Sequence, residues 1–253
     1  MPDGPIPAYG GGLTETQIHP VVLVAMLLAI LLILTRSRRQ VLVTFLLATF
    51  LVPYEQVIVC GGLHFPVRRI LIIVAVLRLL MERAKGRKLL PNGLNKIDKA
   101  FIIGTTYQGL ARILLFHVAA AVPGQIAFWI ESFGGYFLLR YLIQDVEDIA
   151  EGAKAFVCLV VIAAACMSIE RFRMVNVFGY FGSRPLLPDL RDGTARAQAY
   201  FGHSILAGCF AATLLPLFYW LWKSNRAKSF AAAGMLAAPF MVFFSASSTP
   251  VAA

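Results

Sequence analysis

The sequence predicts an all-α fold, a polytopic membrane helical bundle of about eight transmembrane helices. Three observations carry this. Apolar runs of near-membrane length recur along all 253 residues. Charged residues make up only 14% of the chain and hydrophobic ones 59%, where a soluble domain carries about 25% charged residues. Most of the Lys and Arg residues lie between the runs rather than inside them. Mean hydropathy is +0.75. Outer-membrane β-barrels fit the sequence poorly, because their strands alternate apolar and polar residues instead of running apolar.

The first run covers 20–35. Residues 1–19 are rich in Gly and Pro and carry no Lys or Arg. They lack the basic start of a cleavable signal, so the run is expected to stay in place as a membrane helix, with 1–19 as an extracytoplasmic tail. The second run, 41–59, is interrupted by Pro53, Glu55 and Gln56, and the third, 67–81, contains Arg78. Irregular backbone at that depth needs protein or water around it, so 53–66 is expected to re-enter the membrane. The remaining runs are 100–121, 125–143, 154–170, 203–222 and 229–250. Residues 20–253 thus read as one membrane domain, with 178–193 as its main connection outside the bilayer.

Net charge is +10. Loops 36–40, 82–99, 144–153 and 223–228, with their flanks, hold fifteen Lys and Arg residues against seven on the other side. The positive-inside bias puts the richer side in the cytoplasm. No exposed basic and aromatic platform is left for nucleic acid. The poorer side holds Arg68, Arg69, Arg171, Arg173, Arg184, Arg191 and Arg196, and no lysine. Arginine's planar fork suits carboxylate and phosphate, so this clustering reads either as an anion site or as pairing with Glu170, Asp189 and Asp192.

A helix starting near Thr194 would put Arg196, Tyr200 and His203 on one face, with Arg191 just before it. Arg191 and Arg196 are therefore candidate anion ligands. His203 is a candidate base, or a boundary histidine bonded to a backbone carbonyl. Arg112 lies deep in the fourth run, behind Thr105 and Gln108 at helical spacing, and His117 follows it. An ionisable residue at that depth is a functional candidate or the partner of Glu131. Gly134 and Gly135 suit close helix contact. Asp145, Glu147, Asp148 and Glu151 read as a solvated turn. The hydroxyls of 245–250 either line a site or cap a helix end. Cys60, Cys158, Cys166 and Cys209 form no CxxC pair, and neither a disulfide framework nor a metal site is expected. No cofactor motif is present.

The segments YFLLRYLI (136–143), IERFRMVNVFGYFG (169–182) and RDGTARAQAYFGHSILAG (191–208), followed by a Pro-bearing span, stand in an order that resembles the O-antigen polymerase/ligase superfamily. These are bacterial inner-membrane glycosyltransferases. The resemblance implies metal-independent transfer of a glycan from undecaprenyl pyrophosphate to a glycan or lipid A-core hydroxyl on the periplasmic face. Arg191 and Arg196 match the arginines at the start of the family's outer helix, and His203 lies where that motif enters the membrane. Arg112 has no counterpart. Family members carry more spans and a large periplasmic loop in their second half. The chain is therefore expected to be the N-terminal portion of a larger fold, or a truncated or inactive member. The alternative reading is a transporter or flippase-like protein for an anionic lipid or solute, centred on Arg112.

Overall fold

The computed structural model describes residues 16–52, 56–60, 63–87, 89–90, 93–116, 121–182, 185–191, 193–247 and 250. Residues 1–15, Pro53, Glu55, Lys88, His117, Arg184, Asp192, Ser248 and Thr249, which entered the expectations above, lie outside them.

The described residues form eight α-helices: α1 (Pro20–Thr35), α2 (Arg38–Leu51), α3 (Val67–Ala84), α4 (Lys96–Phe116), α5 (Ala121–Leu142), α6 (Val146–Arg173), α7 (Ser204–Lys223) and α8 (Lys228–Phe244). Each falls on one of the eight apolar runs. Their ends follow local chemistry. Pro20 opens α1, where its missing N–H costs nothing, and His19 Nδ1 accepts from Val21 N at 3.2 Å. Before α6, Asp145 and Asp148 cap each other's backbone N–H groups at 2.8 and 3.2 Å. Met174, left-handed at φ 57°, stops α6.

Two short antiparallel hairpins interrupt the helices: β1 (Val57–Cys60) with β2 (Leu63–Pro66), and β3 (Asp189–Arg191) with β4 (Thr194–Arg196). The first corrects the expected re-entrant segment. Val57 bridges Gln17 just ahead of α1, and Pro66 runs directly into α3, so the described part of 56–66 lies at the end of the bundle. β-branched residues around Gly61-Gly62 favour a hairpin over a helix here.

The helices run alternately up and down. At one end, Arg38 and Arg39 of α2 close on Asp145 and Asp148 at the start of α6, with contacts of 2.6 to 3.5 Å. At the same end Arg140 of α5 pairs with Asp98 of α4 at 3.0 Å, and Tyr136 donates to Asp98 at 2.7 Å. Arg78 donates to the Arg36 carbonyl at 2.6 Å, and Arg226 pairs with Glu147. The acidic run 145–151 is thus not a plain solvated turn: Asp148 is fully buried and holds two arginines. At the other end, Gln56 accepts from His19 N at 2.7 Å and donates to Phe181 O at 2.6 Å, tying the first hairpin to the segment after α6. Among the described residues, the basic side and the arginine-only side are therefore opposite ends of one bundle.

One core cluster joins α1, α2, α3 and α5, and a second joins α6, α7 and α8. α2 packs on α6 between them, and α4 lies on the far flank against α5. Gly134 lets α5 approach α3, since a Cβ there would sit 2.6 Å from Ile72. Gly135 faces open space and makes no such contact.

Candidate functional site

At the arginine-only end, the segment leading into α7 is fixed by a carboxylate. Glu170, in the last turn of α6, is fully buried. Its Oε2 accepts from Gln198 N and Ala199 N, each at 2.9 Å, and its Oε1 accepts from Asn176 Nδ2 at 3.2 Å. Asn176 Nδ2 also donates to Ala199 O at 3.1 Å, and its Oδ1 accepts from Phe178 N at 2.9 Å, within the short 3-10 turn Val177–Phe181. Arg171 donates to Ala195 O at 2.7 Å, and Ala197 N to Phe244 O at 3.1 Å. Residues 195–199 are thus bonded to α6, to the 3-10 turn and to the end of α8, in a geometry where Ala199 holds φ 49°. Buried carboxylates are retained where donors surround them, and Glu170 has three.

The expected helix from Thr194 is not formed; Asp189–Arg191 and Thr194–Arg196 pair as the second hairpin instead. Its register pairs Asp189 with Arg196, Leu190 with Ala195 and Arg191 with Thr194. Alternate strand residues share a face, so Asp189, Arg191, Thr194 and Arg196 stand on one side and Leu190 and Ala195 on the other. Ala195 is buried. Arg196, Tyr200 and His203 therefore do not share a helical face. Tyr200 is buried and donates to Leu159 O at 3.3 Å.

The hairpin still presents Arg191 and Arg196 together. Asp189 lies across from Arg196 without an ion pair between them. Arg196 is half-buried, and its Nε is buried with no acceptor. An unmade hydrogen bond of this kind costs about 1–3 kcal/mol. An acceptor oxygen that reached this nitrogen would satisfy it. Neither Glu170, whose oxygens are taken by the donors above, nor Asp189 neutralises Arg196.

His203 is exposed and caps α7, its Nδ1 accepting from Ile205 N at 3.2 Å. A neutral imidazole has one donor and one acceptor nitrogen. With Nδ1 accepting, Nε2 carries the proton and is a donor. In this geometry the ring is suited to hold an anion, and to act as a base it must first release the α7 cap.

Arg112 lies elsewhere. It is exposed on α4, four residues before Phe116, on the opposite flank from α7 and α8. Its expected partner Glu131 pairs instead with Arg68 at 2.5 Å and Arg69 at 2.7 Å. The structure thus sets Arg191 and Arg196 on one face of the hairpin that precedes α7 and leaves Arg112 apart. Sequence reasoning treated Glu170 only as a possible arginine partner and passed over Asn176. The sole sequence signal was a carboxylate at the end of an apolar run.

Among the described residues no group of three or more His, Cys, Asp or Glu side chains is placed to hold a metal ion. The four cysteines are free thiols. Ser245 Oγ donates to Val242 O at 2.7 Å, which is helix-end capping. By length and composition α6 and α7 are apolar enough to cross a membrane, and α1 and α8 are apolar but shorter. Comparison with protein-family models, with curated proteins and with solved structures finds no match.

Proposed function

We propose that this chain is a multi-pass protein of the bacterial inner membrane that crosses the bilayer about eight times. Its arginine-only end faces the periplasm and binds the pyrophosphate of an undecaprenyl-linked glycan for transfer to a glycan or lipid A-core hydroxyl. The observation that carries this reading is Arg196: a half-buried guanidinium with a buried, unmatched Nε, on the same hairpin face as Arg191 and just ahead of an apolar helix.

The membrane part draws support from the outer surface. Large apolar side chains face outward, including Leu236 at 69% exposure and Phe243 at 72%, and patches of this extent suit lipid rather than water. The charge difference between the two ends matches the positive-inside bias.

In this reading Arg191 and Arg196 stabilise charge that grows on the pyrophosphate as the sugar–phosphate bond breaks. His203 donates from Nε2 to the same anion. Arg112, near the end of α4, reaches toward lipid headgroups by its long side chain and takes no part in that site.

The test uses the full chain in lipid nanodiscs with undecaprenyl-pyrophosphate-linked glycan. The wild type is expected to release the glycan to an acceptor, and Arg191→Ala and Arg196→Ala to lose that output while still inserting. Undiminished output from both variants contradicts the proposal. Binding or vesicle uptake without turnover supports the transport reading instead.

A further inference from the structure

The second hairpin has two unlike faces. Asp189, Arg191, Thr194 and Arg196 stand on one, and Leu190 and Ala195 on the other. The charged face carries the proposed anion site, and the apolar face takes no part in it. Ala195 is buried, while Leu190, its partner across the strands, is 59% exposed. The backbone of this hairpin is tied to the ends of two apolar helices. Arg171, in the last turn of α6, donates to Ala195 O at 2.7 Å, and Phe244, the last residue of α8, accepts at its carbonyl from Ala197 N at 3.1 Å. Next to Arg171, Phe172 is 74% exposed, and its ring meets that of Phe244 edge-on at 5.8 Å. Along α8, Leu236, Phe240 and Phe243 follow at spacings of four and three, so they share a face, and all three are exposed. This stripe ends one residue before the carbonyl that holds Ala197.

An element with charge on one face and exposed apolar groups on the other matches the boundary between lipid and water. We infer that the second hairpin lies on the bilayer surface, with Leu190 and Phe172 in the lipid and the face of Arg191 and Arg196 turned to the headgroups and water. The α8 stripe argues for lipid as the occupant. A protein partner on Leu190 and Phe172 would leave Leu236, Phe240 and Phe243 bare unless it also ran down half of α8, whereas a bilayer covers all five at once. The charge pattern agrees, because every charged residue of the two strands stands on the face opposite Leu190. The hairpin then holds its guanidinium face at headgroup depth. The inference rests on the membrane part of the proposed function and is independent of glycan transfer.

The test is fluorescence quenching on the full chain in phosphatidylcholine nanodiscs. In a Cys60→Ser background, an environment-sensitive maleimide dye is attached at Leu190→Cys, Asp189→Cys or Leu236→Cys, and the background protein without an added cysteine is subtracted. Phosphatidylcholine carrying a doxyl group near its headgroup reports contact with the bilayer surface, and iodide reports contact with water. The dye at Leu190→Cys is expected to be quenched roughly twofold or more better by the doxyl lipid than by iodide, and the dye at Asp189→Cys to show the reverse preference. The dye at Leu236→Cys, halfway along α8, is expected to answer best to a doxyl group near the chain end. Iodide quenching at Leu190→Cys equal to that at Asp189→Cys leaves the hairpin in water and overturns the inference. Quenching by neither agent at Leu190→Cys means that protein covers this face, and overturns it as well. Iodide quenching at Leu236→Cys defeats the membrane reading and this inference with it. Lipid quenching at Leu236→Cys beside a water-exposed Leu190→Cys defeats this inference alone.

Discussion

The Glu170 carboxylate accepts the Ala199 backbone N–H at 2.9 Å, across 29 residues of sequence, and so sets where the chain enters α7. Glu170→Ala leaves the Gln198 and Ala199 donors without an acceptor in a buried place. Unmatched buried donors cost about 1–3 kcal/mol each. Melting in detergent is expected to fall by roughly 10 °C, at about 2–4 °C per kcal/mol. Glu170→Gln keeps one acceptor oxygen and is expected to lose about half as much. Equal melting for wild type and the alanine variant would show that the carboxylate does not hold this segment.

Arg196 is expected to behave in the opposite way. Its side chain makes no hydrogen bond among the described residues, so Arg196→Ala should leave the melting temperature near that of wild type. Its loss should appear in ligand binding, at roughly tenfold or more weaker stabilisation by inorganic pyrophosphate, since hydrogen bonds to charged groups contribute about 1.5–3 kcal/mol. A thermal-shift titration measures both. A large drop in stability with unchanged pyrophosphate response would make Arg196 a packing residue.

The basic end is clasped by Asp145 and Asp148 against Arg38 and Arg39. Asp148 is fully buried, so Asp148→Ala is expected to cost about 3 kcal/mol. The clasp also carries a pH dependence. The Asp145 carboxyl is held below its ordinary range by the Asp148 backbone N–H, which outweighs the opposing effect of burial, with Arg39 and Arg38 adding to it. A carboxyl depressed in the folded state adds stability that is fully present above its unfolded value, near about 3.9, and is lost as pH falls through the folded value. Melting is expected to be flat from about pH 5 to 8 and to fall below about pH 4, with a shallower fall in Asp145→Asn. An identical acid profile for that variant would remove Asp145 from the account.

Two glycines are expected to respond with opposite signs. A Cβ at Gly234 would lie 2.8 Å from the Phe218 ring and 2.9 Å from Val157, and Phe218 is fully buried. Gly234→Ala is expected to destabilise by about 1–3 kcal/mol, the usual cost of overpacking. At Gly135 nothing lies within 4 Å. Gly135→Ala is expected to stabilise α5 by up to about 1 kcal/mol through helix propensity. Denaturation of both variants in one detergent measures the contrast.

The helices were legible because apolar runs of this length leave few other solutions, and each run holds one helix. What lies between them was less so. Arg196, Tyr200 and His203 recur at helical spacing, yet Asp192-Gly193 ahead of them is a strong hairpin signal, and Gly193 takes φ 72°. The local turn chemistry outweighed a periodicity of only three residues. The long-range partners were not readable at all. Glu131 could have met Arg112, Arg68 or Arg69, and only the packing of α3 against α5 decided for the last two. Asp148 looked like one more charge in a solvated run because nothing in the sequence places Arg38 and Arg39 beside it.

Topology mapping tests the account most directly. In a Cys60→Ser background, Gly193→Cys marks the hairpin tip and Asn225→Cys marks the connection between α7 and α8. A membrane-impermeant maleimide is expected to label Gly193→Cys in cells with a permeable outer membrane and an intact inner one, and Asn225→Cys only after lysis. The reverse pattern would put the guanidinium face in the cytosol, away from any carrier presented outside, and would contradict the account.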